Sequence, residues 1–111
     1  MRLNFSKAIS IIFSLLIFSA SSHASSLHKG VQAILKQDYL TALEILVPEA
    51  KSGNPDAQTL LGGMYHDGQG LPQDDVQAVK WYRLAADQGN ADAQSDLGVM
   101  YRLGRGVPQD D

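Results

Sequence analysis

The sequence predicts an all-α protein, a solenoid of stacked helical hairpins, and three observations carry the prediction. Residues Gly53 to Asp75 recur at Gly89 to Asp111 with 15 of 23 positions identical, a step of 36 residues. Within each step, apolar residues fall at the three-to-four spacing of one helix face. Clusters of glycine and proline punctuate the chain between those faces. A fixed period of about 20 to 50 residues marks a unit that cannot bury its own apolar face and must stack on a neighbour.

The N-terminus has the three parts of a secretory signal. Arg2 and Lys7 form a basic start, Ala8 to Ala20 an apolar or small-residue run, and Ser22 and Ala24 stand where a signal peptidase reads small residues. Cleavage is expected after Ala24, giving a signal peptide over 1–24. The run of about 13 residues is short for a membrane span, which needs about 20. Export to the periplasm or beyond is the expected address, with no stable membrane insertion once the signal is gone.

Residues 25–52 read as an atypical N-terminal hairpin, a cap. A first helix at about Leu27 to Lys36 joins a second, Tyr39 to Ala50, through a short Gln37-Asp38 turn, and Pro48 is expected to bend or fray the second helix near its end. Ala42, Ala50, Gly53 and Asn54 lie one period before Ala78, Ala86, Gly89 and Asn90, which ties this hairpin weakly to the repeat.

Residues 53–88 form one complete unit. Asn54 caps its first helix, Pro55 suits the first helical position because its missing N–H is not needed there, and Ala57, Leu60, Leu61, Met64 and Tyr65 share a buried face. The helix must stop near Asp67, because Gly68 to Pro72 holds two glycines and a proline. Asp74 or Asp75 then caps a second helix, with Gln77 in capping-box position and Ala78, Val79, Tyr82, Ala85 and Ala86 as its stripe. Trp81 sits about 100° from Tyr82 around that helix and is read as packing between units rather than as an exposed anchor.

Residues 89–111 repeat the first helix, Ala91 to Arg102, and its loop, but not the second helix. The expectation is a fragment of a longer repeat protein, or a half-covered terminal helix whose exposed Leu97, Met100 and Tyr101 offer an edge for self-association.

The recurring pattern Ala57, Leu61, Gly62, Tyr65, Gly68, Gly70, Pro72, Asp74, Ala78, Trp81, Tyr82, Ala85, Ala86 and Gly89, continued by Ala93, Leu97, Gly98, Tyr101, Gly104, Gly106, Pro108 and Asp110, resembles the Sel-one-like repeat. That family is a longer-looped relative of the tetratricopeptide repeat. The resemblance covers 53–111 strongly and 27–52 weakly. It implies a right-handed α-solenoid that serves as an adaptor, often exported from bacteria. One exported, cysteine-rich branch is described as binding or hydrolysing β-lactams and places a disulfide inside each repeat. The present chain has no cysteine, so none of that activity carries over.

Composition and motifs narrow the chemistry further. Removing 1–24 takes Arg2 and Lys7 from nine basic side chains and none of the twelve acidic ones, leaving seven against twelve over 87 residues, a net charge of −5. That sign disfavours nucleic acid and anionic membranes. The absence of cysteine excludes disulfides, thiolate metal sites and a lipid-anchored lipoprotein. His66-Asp67 becomes Arg102-Leu103 one period on, and one histidine beside one aspartate falls short of the converging ligands a site needs. Gly68-x-Gly70 lacks the strand before it and the Gly-Lys-Ser/Thr after it that a phosphate loop requires. The pairs Asp74-Asp75 and Asp110-Asp111 lack the alternating spacing of a calcium loop. No residue is nominated as catalytic, and no cofactor or metal is called for.

The expected function is therefore an exported scaffold that receives a peptide or protein segment on a concave side lined by first-helix residues. The candidate contact residues are Gln58, Thr59, Gly63 and His66, with their counterparts Gln94, Ser95, Val99 and Arg102. Two rival readings are a β-lactam-binding or β-lactamase-like enzyme and a truncated product that folds poorly.

Overall fold

The computed structural model describes residues 22–108, which hold five helices and no strand. Helix α1 covers 22–35, α2 Tyr39–Lys51, α3 Pro55–Asp67, α4 Asp75–Asp87 and α5 Ala91–Leu103. They form the expected solenoid, with α2 packed on α3, α3 on α4 and α4 on α5. The expected signal peptide lies outside the described residues except at 22–24, which belong to α1, and Asp110 and Asp111 lie outside them as well.

Local chemistry sets the helix boundaries. The Asn54 side chain accepts from the backbone N–H groups of Asp56 and Ala57 at 3.0 and 3.1 Å, and its repeat, Asn90, accepts from Ala93 at 2.9 Å. These bonds satisfy donors that the first helical turn cannot pair internally. Helix α3 ends at Asp67 because Gly68 takes φ 68°, a left-handed conformation that returns its N–H to the Met64 carbonyl. Asp74 caps α4 by accepting from Gln77 N–H at 3.1 Å. The reciprocal half of the expected capping box has no donor to receive, because Asp74 N–H already bonds the Tyr65 carbonyl at 2.9 Å.

Pro48 does not fray the end of its helix. Helix α2 continues through it to Lys51, and both the N–H and the hydroxyl of Ser52 donate to the Pro48 carbonyl at 3.0 Å. Pro48 and Glu44 are exposed, so water can serve the Glu44 carbonyl that loses its partner. In the turn before α2, Gln37 takes φ 61°, and Asp38 caps the helix by accepting from Thr41 N–H at 3.3 Å.

Two apolar clusters run along the stack. Ala33, Ala42, Leu46, Ala50, Ala57, Leu61 and Met64 form the first, and Ala78, Val79, Tyr82 and Met100 the second. Tyr65 packs against both. Trp81 of α4 is half-buried and packs against the first cluster, which makes it a packing residue rather than a fully exposed anchor. Burying Leu46 or Leu61 stabilises the fold by about 1.5–3 kcal/mol each.

The expected sticky edge is corrected at Met100, which is 2% exposed, and at Leu97, which is half-buried. After α5 the chain folds back so that Val107 covers this second cluster. Tyr101 does remain 52% exposed, although the Arg83 guanidinium donates to its hydroxyl.

Candidate interaction groove

Alternate helices build an open concavity. Ile34 from α1, Thr59, Leu60, Gly63 and Asp67 from α3, and Asp92, Ser95 and Asp96 from α5 line an open groove of about 480 Å³, with Gln69 at one end and Tyr82 of α4 beneath. Placing α1, α3 and α5 on one side follows from the hairpin order, because the second helices α2 and α4 form the other layer. Thr59, Gly63 and Ser95 are thus brought together as the sequence reading expected of first-helix residues.

The two glutamines have a different position. Gln58 is 4% exposed; its Nε2 donates to the Ala50 carbonyl at 3.1 Å, and its Oε1 accepts from Gln88 at 2.9 Å. Gln94 donates to the Ala86 carbonyl at 3.1 Å, the same bond one period later. Both tie a first helix to the end of the helix before it, and neither lines the groove. The sequence carried that signal, since Gln58 and Gln94 are identical in the two copies and hairpin construction accounts for what recurs.

His66 and Arg102 also lie off the groove lining, as does Val99. His66 Nδ1 donates to Oδ1 of Asp75 at 2.7 Å, and Arg105 Nε donates to the other carboxylate oxygen at 2.8 Å. The partner of His66 is therefore Asp75, nine residues away across the loop, and not its neighbour Asp67. Burial alone would raise the Asp75 carboxyl, but the hydrogen bonds from His66 and Arg105, with the charge of Arg105, outweigh it and hold Asp75 below the ordinary carboxylate range. A Cβ on Gly106 would overlap the Asp75 carbonyl, so this clasp seats the loop after α5 on the start of α4.

At the start of α5, Asn90 Nδ2 donates to Asp56 at 2.9 Å. The Thr59 hydroxyl lies 2.9 Å from the Pro55 carbonyl and 3.2 Å from Asn90 Oδ1, sharing its hydrogen between them. One rim of the groove is thereby fixed.

The groove is acidic. Asp67, Asp92 and Asp96 line it, and no basic side chain does. Burial and the neighbouring charge of Asp92 raise the Asp96 carboxyl, with His66 opposing weakly. Burial, followed by the charges of Asp96, Asp67 and Asp75, raises the Tyr82 phenol so that it stays protonated. Among the described residues no group of three or more His, Cys, Asp or Glu could hold a metal ion. Asp92, Asp96 and Tyr82 were not expected as groove residues, whereas Asp67 is one of the positions at which the two copies differ and where binding specificity could reside. Comparing the copies offered a partial signal, because Asp96 stands where Leu60 does and Asp67 where Leu103 does.

The Sel1 repeat model matches residues 55–90 and 91–111, more than half of the chain. The chain belongs to the Sel1 repeat family. Two solved Sel1-type structures resemble it along most of its length. A Sel1 repeat protein from Oxalobacter formigenes is 33% identical with a TM-score of 0.69, covering 77% of this chain and 34% of that one. A protective antigen present in uropathogenic Escherichia coli strains, which displays an SLR fold, is 36% identical with a TM-score of 0.74, covering 87% of this chain and 22% of that one. The chain thus spans about a third and a fifth of these two proteins. No curated protein matches it significantly. Sel1 repeats are helical-repeat scaffolds that typically mediate protein–protein interaction. No helix among the described residues is long and apolar enough to cross a membrane.

Proposed function

We propose that this Sel1 repeat chain is an exported scaffold whose groove between α1, α3 and α5 receives an extended segment of a partner protein. The observation that carries the reading is the groove itself: about 480 Å³, open, and lined mainly by residues of the first helices α1, α3 and α5. A rigid concave surface lowers the ordering cost of binding, since only the ligand has to be fixed.

A photo-crosslinking amino acid at Ser95, compared with one at exposed Lys80 on α4, tests the assignment in cells. A partner captured at Ser95 and not at Lys80 is the expected result; capture at Lys80 alone would overturn it. Export rests on the basic start, the apolar run and the small residues before Ser25. Fractionation and N-terminal sequencing should find a periplasmic or secreted chain beginning at Ser25, and a cytoplasmic chain retaining its first residues would contradict that. Purified protein should also give no nitrocefin turnover above a heat-killed control, and sustained turnover would overturn the scaffold reading in favour of an enzyme.

A further inference from the structure

The floor of the groove holds a polar group that no described residue engages. Tyr82 is 4% exposed, yet its hydroxyl has no hydrogen-bond partner among the described residues, and its oxygen is not sealed from solvent. The hydroxyl lies beneath Gly63, where a Cβ would come within 3.7 Å of it. A buried phenol normally finds a partner, because an unpaired polar group loses the hydrogen bond that water would have given it. Here the ring packs in the second cluster while the oxygen opens into the groove.

Three carboxylates, Asp67, Asp92 and Asp96, line the same groove, and two stand at positions the repeat fills otherwise. Asp96 replaces the Leu60 of the preceding copy, and Asp67 gives way to Leu103 in the next, so neither is needed to build a hairpin. Asp96 remains beside Asp92 although burial and that neighbour both disfavour its charge. The carboxylates do not converge as metal ligands do. A spread of negative charge around one neutral hydroxyl suits an elongated cation, whose apolar stem can pass Ile34 and Leu60 while its head reaches the floor.

We propose that the groove takes the cationic side chain of a lysine- or arginine-bearing peptide segment, balanced by Asp67, Asp92 and Asp96, with an N–H of the cation donating to the Tyr82 hydroxyl. The proposal rests on the scaffold reading and adds the chemistry of the segment. Charge complementarity of this kind contributes specificity and association rate, and it weakens with salt.

Selection of a randomised peptide library on the immobilised full chain tests it. Parallel baits carry Asp67→Asn with Asp96→Asn, Tyr82→Phe, or Ser95→Trp to block the groove, each first shown by circular dichroism to melt cooperatively. Enriched peptides are expected to carry lysine or arginine, to bind the double variant about fivefold more weakly, to bind Tyr82→Phe more weakly as well, and to lose binding on Ser95→Trp. Peptides that need the open groove but lack lysine and arginine, or that ignore the double variant, would overturn the cationic assignment and leave the scaffold reading intact. No enrichment over the Ser95→Trp bait would overturn both.

Discussion

Two glycines one period apart have opposite surroundings. A Cβ on Gly62 would meet the Tyr82 ring at 2.7 Å and the Ala78 carbonyl oxygen at 3.3 Å, whereas one on Gly98 would meet nothing within 4 Å. Gly62→Ala should destabilise the protein by about 1–3 kcal/mol, the usual cost of overpacking. Gly98→Ala should stabilise it by up to about 1 kcal/mol through helix propensity. Urea unfolding of the two variants decides the matter, and equal effects would contradict the packing described. Asp96 offers a second test at this scale. Its carboxyl is raised in the folded state, so ionisation opposes folding; that penalty is absent below the unfolded value of about 3.9 and appears as pH rises through the folded one. Asp96→Asn should therefore raise Tm at neutral pH and leave it nearly unchanged in acid.

Among elements, caps and clasps decide the boundaries. Removing the Asn54 side chain with Asn54→Ala leaves the N–H groups of Asp56 and Ala57 to water and should lower stability by about 1 kcal/mol in a denaturant titration. The clasp of His66 and Arg105 on Asp75 predicts a pH dependence of the opposite sign to that of Asp96. Because the folded Asp75 carboxyl is depressed, its contribution is fully present above the unfolded value of about 3.9 and is lost as pH falls through the lower folded value. The wild type should therefore lose more stability on acidification than Asp75→Asn does, and parallel curves would show that the clasp contributes nothing. The loop from Gly104 to Val107 should loosen in the same variant, seen as faster amide exchange.

For the whole molecule, continuity between hairpins is the quantity that matters. Trp81 is the single tryptophan of the chain and rests on the cluster formed by α1, α2 and α3, so its fluorescence reports docking of α4 on that cluster. Tyr65, shared by both clusters, couples the same boundary. Fluorescence and far-UV circular dichroism should melt together, as in a chain that unfolds as one unit. Separated transitions would mean that the hairpins open independently, as weakly coupled repeats can. Leu46→Ala, deep in the first cluster, should lower both signals together and cost about 2–5 kcal/mol.

By itself the sequence determined the repeat, the helix that each half-period forms, the stop after Asp67 and the cap at Asn54, and it narrowed the cap of α4 to Asp74 or Asp75. These follow from short-range backbone chemistry and from the period of the apolar residues, both of which are written along the chain. Copy comparison also held the roles of Gln58 and Gln94 in plain view, since identical residues one period apart make identical bonds to Ala50 and Ala86. Tertiary structure decided the rest. Whether Met100 is covered, which aspartate His66 meets, and that the Tyr82 hydroxyl opens among Asp67, Asp92 and Asp96 all depend on how one helix lies across another. Those positions are distant in sequence, and only the angle and depth of packing between hairpins bring them to one place.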